Sequence, residues 1–407
     1  MTATVLDERL GTLRDAAREW GAEFRTAGAG LDTDPDGVGA HLDLAGVRCL
    51  ATMLVPAEFG GAGLALGAHR FHGMTAIERT VVLEELARGD AGLMLASPGA
   101  SMSGVLVDVL ADREQKEWFY GRLLERPTWT FFALTEPDRG SDATALETAL
   151  KTSPDGGGPH RLDGRKKYVG NAARAALGVV FARTGPGPLG VTAVLVDTAD
   201  PGFRAEPIES LGLRAARICE LTLDGVAVPA ERVLGRDRSP ARRGMWACVQ
   251  TFNRLRPGVA AIAVGIAAAA HDYVRAERGP LGRGEADRLD RLGRRIEGVR
   301  HLVQLSAIEV DADGSRGHLA SAAKAEACRL AEEATLEACG FFGPRARWEH
   351  PALDKLVRDA RGVEFMEGAG NIQKLTVFQG LVAGKVGRGD PFPAHAGNSS
   401  TGGSSCR

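Results

Sequence analysis

The sequence predicts a mainly α-helical protein with a central β domain, in the order helices, strands, helices. Two observations predict this order along the 407 residues. Apolar residues recur at helical spacing up to about residue 130 and again from about residue 244, and short β-prone runs lie between these two parts. We expect an N-terminal helical domain at 1–128, a middle antiparallel β domain at 129–238, a helical C-terminal domain at 239–387 and a disordered tail at 388–407.

The N-terminal part begins with one apolar helical face, formed by Leu6, Leu10, Leu13, Ala17 and Trp20. Proline and glycine interrupt the helical pattern at 54–63. A long helix is predicted over 75–89, followed by a stretch of small residues at 96–101 and further helix to residue 125.

The middle part contains three short β-prone runs, at 131–134, 179–182 and 191–196. Asp163-Gly164 and Asp224-Gly225 have the composition of two-residue hairpin turns, so we predict a turn at each. The helical pattern then returns, and Pro257 is predicted to start a helix of small apolar residues. Small residues on several faces of that helix predict close helix–helix contact.

Composition excludes several classes of protein. A net charge of −2 and a pI near 6.5 give no basis for binding nucleic acid or an anionic membrane. The six cysteines are scattered and the nine histidines lack ligand spacing, so we predict reduced thiols and no metal site. The longest small-apolar run, 259–270, is too short to span a bilayer, and the N-terminus lacks the pattern of a signal peptide. A cytoplasmic protein without membrane contact is the expectation.

Two distant segments carry the candidate chemistry. Residues 131–142 predict a strand that runs into a polar Gly-Ser turn, and residues 365–373 place Glu367 on a glycine-flanked loop that opens a helix. Phe365 and Met366 are expected to give Glu367 a dry environment, and desolvation raises the pKa of a carboxylate toward that of a useful base. Considered alone, Glu367 is better explained as an exposed residue before a glycine cap.

The motif Leu134-Thr135-Glu136-Pro137-x-x-Gly140-Ser141-Asp142 resembles the signature of the acyl-CoA dehydrogenase family. Further similar segments follow in family order, and they lie at 164–172, 211–235, 256–278 and 354–373. The resemblance covers roughly residues 40–385. It implies a middle β-barrel or sandwich, a C-terminal four-helix bundle, and FAD held noncovalently between these two domains.

The resemblance also implies roles for individual residues. Glu367 is the expected catalytic base, because the other position used in the family is occupied here by Leu255. The residues expected to bind FAD are Phe132, Leu134, Thr135, Gly140, Ser141, Tyr168, Gly170, Arg278, Leu281, Glu337, Gly340 and Asn371. The residues expected to contact substrate are Ser97, Ser141, Arg256, Met366 and Gly368. Arg278 would reach the FAD of a neighbouring subunit.

This chain departs from the family pattern at five of these sites or beside them. Tyr168 stands in place of a tryptophan, Gly170 of a serine or threonine, Leu281 of a phenylalanine, Glu337 of a glutamine and Ala369 of a threonine. A glutamate facing pyrophosphate repels it unless Arg345 or Arg347 screens the charge. We therefore expect an unusual affinity for FAD.

The predicted function is FAD-dependent dehydrogenation of an acyl thioester carried by CoA or by acyl carrier protein. The acyl unit is expected to be short or polar and to belong to a biosynthetic pathway, with an electron-transfer partner or oxygen as the flavin reoxidant. We expect a homodimer or homotetramer. Two alternatives remain open, namely a flavin-dependent oxidase or monooxygenase of the same fold, and a non-catalytic relative that binds a carrier protein.

Overall fold

Helices form both ends of the chain and strands form its middle, as predicted. The computed structural model describes residues 6–152 and 158–385, so the predicted tail at 388–407 lies outside the described residues. The N-terminal helices are α1 (Glu8–Gly28), α2 (Ala45–Thr52), α3 (Ala76–Ala96), α4 (Ser101–Leu110) and α5 (Arg113–Glu125). A small hairpin of β1 (Leu64–Leu66) and β2 (His69–Phe71), which was not predicted, lies where proline and glycine interrupt the helices.

Helix α3 is longer than predicted and bends where the predicted helix ends. Asp90 has non-helical dihedral angles (φ −155°, ψ 111°), and its carboxylate accepts a hydrogen bond of 2.8 Å from the Leu93 N–H. The same carboxylate lies 2.9 Å from the Lys355 ammonium group in the C-terminal domain. Pairing with Lys355 and Leu93 stabilises the bend, so the helix resumes and continues to Ala96.

The middle domain is one curled seven-stranded sheet in the described part of the chain. Its strands are β3 (Thr130–Ala133), β4 (Ala149–Lys151), β5 (His160–Val169), β6 (Leu177–Arg183), β7 (Val191–Asp197), β8 (Phe203–Pro207) and β9 (Cys219–Val228). Most pairings are antiparallel as predicted, but β6 pairs parallel with both β3 and β4. The connections from β3 and β4 to β6 are long enough to bring the chain back in the same direction.

The two predicted hairpin turns are wrong. Asp163-Gly164 lies inside β5 and Asp224-Gly225 lies inside β9, where the register of the two paired strands shifts. Gly225 has a positive φ of 69°, and its N–H donates a 2.9 Å hydrogen bond to Asp163 Oδ1. The Asp-Gly pairs therefore build a β-bulge, which uses the same left-handed glycine as a tight turn.

A buried ion pair holds the strand-to-turn motif in place. The Lys166 ammonium group, fully buried on β5, donates to Leu134 O at 2.9 Å and to Glu136 Oε1 at 2.9 Å. The other contacts of the Glu136 carboxylate are the backbone N–H groups of Glu147 and Thr148, at 2.6 and 2.8 Å. Burial lowers the pKa of Lys166 to about 8, with Glu136 opposing the shift. The glutamate of the motif is therefore a structural anchor.

The C-terminal domain is a helical bundle. It contains α6 (Met245–Glu277), α7 (Arg283–Ala312), α8 (Gly317–Cys339), α9 (Ala346–Glu349), α10 (Pro351–Val363) and α11 (Gly370–Val382). Pro257 was predicted to start a helix, but it lies in the middle of α6. Helix α6 is the central helix and packs against α3, α7, α8 and α10.

One helical segment, Pro240–Glu277, is long and apolar enough to cross a membrane by composition. Its most apolar window is 83% buried inside the protein, and residues 259–270 form part of the main core. Its apolar character is therefore explained by packing between the N-terminal and C-terminal domains.

Replacing Lys166 by methionine should lower the free energy of unfolding by about 3–5 kcal/mol, because it leaves a buried carboxylate without its cation. Urea unfolding followed by circular dichroism measures this change. Arg165→Met is the matched control, since Arg165 pairs with Glu220 on the surface and a pair of that kind contributes only about 0–1 kcal/mol. Equal effects of the two substitutions would contradict the anchoring role.

Candidate active site

The loop between α10 and α11 presents Glu367 in a strained backbone conformation. Glu367 has a φ of 52° and Gly368 a φ of 99°, both in the left-handed region. The Gln373 side chain donates to Glu367 O at 3.0 Å and to Gly368 O at 2.8 Å. A non-glycine residue in this region costs of order 1–3 kcal/mol, so the surrounding contacts must hold it there.

Lys324 of α8 is the second support of this loop. Its ammonium group is fully buried and donates to Glu364 O at 2.6 Å and to Gly368 O at 2.8 Å. The Glu364 carboxylate lies 3.9 Å from the same nitrogen and accepts a 2.7 Å hydrogen bond from the Gly370 N–H. Glu364 thus caps α11 and closes the loop.

The carboxylate of Glu367 is desolvated. The residue keeps partial exposure, yet its Oε2 atom is buried and has no hydrogen-bond partner among the described residues. Burial raises the pKa of Glu367 to about 8, and the positive charges of Arg256, Lys324 and Arg79 hold it from rising further. A carboxylate titrating near neutrality is suited to accept a proton.

The dry environment of Glu367 has a different origin from the one predicted. Phe365 is 61% exposed and points away from the site, whereas Met366 packs against the main core. The predicted contribution of Phe365 is therefore wrong. The charges that act on the buried carboxylate lie on three helices, with Arg256 on α6, Lys324 on α8 and Arg79 on α3.

Arg256 lies on α6 beside Glu367. It donates to Asn253 Oδ1 at 3.1 Å and to Ser321 Oγ at 3.3 Å. Its Nε atom is buried and has no partner among the described residues. Burial lowers the pKa of Arg256 and the charge of Glu367 opposes this shift, which places the two groups in one electrostatic environment. The residue thus lies where sequence analysis expected it, and its role toward substrate stays a prediction.

Two buried cations of the site were missed by sequence analysis. Lys324 stands in an alanine-rich stretch, and Arg79 lies beside Glu78 near the start of α3, where both side chains are buried. A charged residue within an apolar helical face signals a buried partner. That signal indicates a partner but does not identify Glu367.

On the β domain, the predicted flavin wall faces α6. Phe132 packs 5.3 Å from the Phe181 ring and 6.0 Å from the Phe252 ring of α6. Leu134 is buried, and Thr135 O accepts a 2.8 Å hydrogen bond from the Lys167 N–H. Phe132 and Leu134 therefore contribute to core packing, and their expected contacts with a flavin stay predictions.

Tyr168 and Gly170 leave an open surface at the end of β5. The Tyr168 side chain is 61% exposed, and its φ is 62°. A β-carbon at Gly170 would meet only Ala216 O at 3.7 Å and Ile218 Cδ1 at 3.8 Å. Asn171 also has a positive φ, of 59°, and its Oδ1 atom is buried without a partner. An exposed aromatic ring, an unfilled strip of backbone and an unpaired acceptor fit a planar polar ring such as the isoalloxazine of FAD.

Four further residues were predicted to contact FAD or substrate, namely Ser97, Gly140, Ser141 and Asn371. The Ser97 hydroxyl donates a hydrogen bond of 2.9 Å to Leu93 O at the end of α3. Gly140, Ser141 and Asn371 are exposed, the first two on the turn after β3 and the third in the first turn of α11. Their expected contacts with FAD or substrate stay predictions.

The residues predicted for the FAD pyrophosphate and adenine come together at the opposite end of the bundle. Arg278 donates to Phe341 O at 2.9 Å and to Glu285 at 3.2 Å, and Leu281 packs on the same small cluster. Arg278 is roughly 33 Å along α6 from Arg256, from 22 residues at about 1.5 Å each. Arg278 and Leu281 therefore lie far from the Glu367 site of their own chain. This position is compatible with the prediction that Arg278 reaches the FAD of a neighbouring subunit.

The charge of Glu337 is screened by arginines, but not by Arg345 or Arg347 as predicted. Its carboxylate lies 2.8 Å from Arg288 Nε and 3.7 Å from an Arg295 nitrogen. Gly340 follows on the same turn, where a β-carbon would lie 3.0 Å from Arg288. The expected repulsion of a phosphate by Glu337 is thus offset by Arg288 and Arg295. The described residues contain no cluster of three or more metal-ligating side chains.

Comparison with known proteins gives the same assignment along most of the chain. Residues 131–226 match the family model of the acyl-CoA dehydrogenase middle domain, and residues 242–382 match that of the C-terminal domain. An acyl-CoA dehydrogenase of Bacillus subtilis is 31% identical, over 81% of this chain and 86% of the relative. Cyclohexane-1-carbonyl-CoA dehydrogenase of Geobacter metallireducens is 30% identical, over 91% and 96% of the two chains.

A solved structure agrees with these relatives. Butyryl-CoA dehydrogenase from Megasphaera elsdenii superposes with a TM-score of 0.79 at 26% identity, over 94% of this chain and all of that one. The predicted fold is therefore confirmed. With matching domains in family order and relatives aligned over most of its length, this chain belongs to the acyl-CoA dehydrogenase family of FAD-dependent oxidoreductases.

Proposed function

We propose that this protein removes two hydrogens from the α and β carbons of an acyl thioester, with Glu367 as the base for the α proton. The observation that supports this most strongly is the Glu367 carboxylate, which is desolvated and has a pKa raised to about 8. Bound FAD would supply the acceptor for the β hydride. The thioester would be carried by CoA or by acyl carrier protein.

Three properties of the site suit this chemistry. The raised pKa increases the basicity of Glu367 without leaving it fully protonated at neutral pH. Arg256 and Lys324 place fixed positive charge beside the carboxylate, and preorganised charge stabilises negative charge that develops on a substrate. The strained loop fixes the direction of the carboxylate, because Lys324 and Gln373 hold its backbone.

The cofactor would lie between the β domain and α6. We assign Phe132, Leu134, Thr135, Tyr168 and Gly170 to the ring, on the strength of the open surface at the end of β5. We assign Arg278, Leu281 and Gly340 to the FAD tail of a neighbouring subunit, with Glu337 held by its two arginines. Turnover requires reoxidation by an electron-transfer partner or by oxygen.

We infer a homodimer or homotetramer, and the surface of α11 supports this inference as well as the assignments above. Four apolar side chains on α11 are about half exposed or more, and most lie three to four residues apart. They are Leu375, Phe378, Leu381 and Val382. A face of this kind is typical of a contact between chains. A cytoplasmic location accompanies the proposal, since the one long apolar helix found among the described residues is buried in the protein's own core.

The alternative of a monooxygenase of the same fold is disfavoured by Glu367. A desolvated base beside a substrate cleft serves proton abstraction from carbon, which oxygen insertion does not need. The alternative of a non-catalytic carrier-binding relative leaves the backbone strain at Glu367 without a purpose.

Replacing Glu367 by glutamine should lower the rate constant of flavin reduction by about 10²- to 10⁴-fold, because the α proton loses its acceptor. Anaerobic mixing of the holoenzyme with a panel of acyl-CoA and acyl-carrier thioesters, followed by flavin bleaching, measures it. Glu326→Gln, a carboxylate on the outer face of α8, is the matched control and should react like the wild type. Undiminished bleaching by the Glu367 variant would mean that another residue is the base.

The pH dependence of kcat/KM should show the ionisation of Glu367. The base must be deprotonated, so activity should fall about tenfold per pH unit below about pH 8 and level off above it. Arg256→Gln should move the inflection to higher pH, because it removes a positive charge that stabilises the carboxylate. A flat profile between about pH 6 and pH 9 would show that Glu367 does not titrate as a base in the free enzyme.

Lys324→Met should reduce the rate constant of flavin reduction by about 10- to 100-fold, since the Glu367 loop loses the donor to Glu364 O and Gly368 O. A purely structural role would leave the pH profile unchanged. A positioning role instead moves the inflection upward, because the charge of Lys324 lowers the pKa of Glu367. Lys374→Met, on the exposed side of α11, is the control for both measurements. An unshifted inflection in the Lys324 variant would refute the positioning role.

A further inference from the structure

A cavity of about 280 Å³ lies between the start of α3, α4, the middle of α6 and the turn between α7 and α8. Ligand pockets in proteins begin at roughly 300 Å³, so this cavity has the size for a short chain or a small polar group. Its lining residues are Leu54, Met74, Thr75, Arg79, Val105, Asp108, Arg254, Val310, Asp311 and Gly314. Four of these ten carry a charge, which is unusual for the end of a pocket that would hold a fatty chain.

Arg79 is fixed rigidly at the wall of this cavity. Its guanidinium group donates to Gly73 O at 2.9 Å, Met74 O at 2.7 Å and Arg254 O at 2.8 Å. All three acceptors are neutral carbonyl groups, so none of these bonds neutralises its charge. Burial lowers the pKa of Arg79 to about 10; the charge of Asp311 opposes this shift, and the nearby charge of Arg254 adds to it. The two arginines therefore repel one another across the same wall.

Arg254 is the second cation of the cavity lining. Among the described residues its guanidinium group forms neither a hydrogen bond nor an ion pair. It lies against Gly314, where a β-carbon would come within 3.1 Å of its Nε atom. The absence of a side chain at 314 thus leaves this guanidinium group room beside the cavity.

The two aspartates of the lining are already satisfied. Asp108 lies 3.2 Å from the Lys116 ammonium group. Asp311 accepts hydrogen bonds of 2.6 and 3.0 Å from the N–H groups of Ala76 and Ile77, at the N-terminus of α3. Helix N-termini favour negative charge, so Asp311 has a partner of its own. Asp311 also acts electrostatically on Arg79, so the charged group of this lining that lacks a partner among the described residues is the guanidinium group of Arg254.

The cavity adjoins the proposed catalytic base. Arg79 and Arg256 both act electrostatically on Glu367. Asn253 connects the cavity wall to Arg256 directly. It donates a hydrogen bond of 3.2 Å to Gly314 O at the wall and accepts one of 3.1 Å from Arg256. Arg79 therefore belongs both to the cavity wall and to the electrostatic surroundings of Glu367, and Asn253 connects that wall to Arg256.

We propose that this cavity receives the distal end of the acyl group, and that this end is a carboxylate. The substrate class is then a short acyl thioester with a terminal carboxylate, bound by Arg254 with Arg79 as a fixed second charge. The assignment rests on the proposed function, because it identifies the substrate of the same site. The reaction itself is unchanged: the α and β carbons lose their hydrogens and the terminal carboxylate takes no part.

The test uses pairs of CoA thioesters of equal shape and different charge. Succinyl-CoA is compared with 4-methylpentanoyl-CoA, and glutaryl-CoA with 5-methylhexanoyl-CoA, so that an isopropyl group replaces the carboxylate. The holoenzyme should reduce its flavin with a kcat/KM about 10- to 100-fold higher for the carboxylate member of at least one pair. Arg254→Gln should lower that preference about tenfold or more, with little change for the neutral member.

A second readout does not depend on turnover. Calorimetric titration of the Glu367→Gln holoenzyme with the same pairs should show tighter binding of the carboxylate member, and Arg254→Gln in that background should remove the difference. Arg275→Gln, an exposed cation on the last turn of α6, is the matched control and should leave the preference intact. Arg79→Gln tests the buried cation, and Arg254→Gln remains informative if that variant does not fold.

The outcomes separate the two proposals. No bleaching by any thioester, in the four compounds or the wider panel, would overturn the proposed dehydrogenase function. Bleaching by the neutral members equal to or faster than by the carboxylates would overturn the substrate assignment and leave the dehydrogenase function standing. A carboxylate preference that survives both Arg254→Gln and Arg79→Gln would show that the charge is recognised elsewhere, and would overturn the assignment of this cavity.

Discussion

The site depends on one buried negative charge held among buried positive ones. Glu367 has lost most of its water, and Arg256, Lys324 and Arg79 replace that solvation only in part, so its pKa settles near 8. Without these cations desolvation would protonate the carboxylate throughout the neutral range, and with a closer ion pair it would be a weak base. The geometry keeps an intermediate state, because Lys324 bonds the backbone of the loop at 2.6 and 2.8 Å while the Glu367 Oε2 atom has no partner.

The pKa of Glu367 depends on how accurately its loop is positioned against the helices that carry the three cations. A second network of buried charges fixes this position. Lys355 of α10 lies 2.9 Å from Asp90 at the bend of α3 and 2.6 Å from Asp359 on its own helix. Asp359 in turn accepts a 2.6 Å hydrogen bond from the Leu213 N–H of the β domain. Helix α10 is thereby bound to both other domains immediately before the loop that carries Glu367. Burial raises the pKa of Asp359, which shows that the network also bears a desolvation cost.

The order of helices, strands and helices was predicted correctly from periodicity, and glycine placement singled out the strand-to-turn motif and the loop of Glu367. It failed where the physical cause lies across the fold. Asp163 and Gly225 form a bulge between two strands that pair 60 residues apart, and an Asp-Gly pair has the same composition in a bulge and in a turn. Pro257 is tolerated inside α6 by packing that no local rule contains. Arg79 and Lys324 stood out only as charges in apolar stretches, and their shared partner, Glu367, is more than 40 residues from either.

The cations around Glu367 couple the base electrostatically to a group bound in the cavity. Arg79 contributes both to the cavity wall and to the field that lowers the pKa of Glu367. An anion placed between Arg79 and Arg254 offsets part of this field and relieves the repulsion between the two guanidinium groups. Binding such a group would therefore raise the pKa of Glu367 further, which makes the carboxylate a stronger base but leaves less of it deprotonated at neutral pH. A neutral group of the same shape would leave this pKa unchanged. Recognition of the distal charge and protonation of the base are then coupled through one arrangement of buried arginines, so the charge of the substrate affects the pH dependence of the chemical step as well as the affinity.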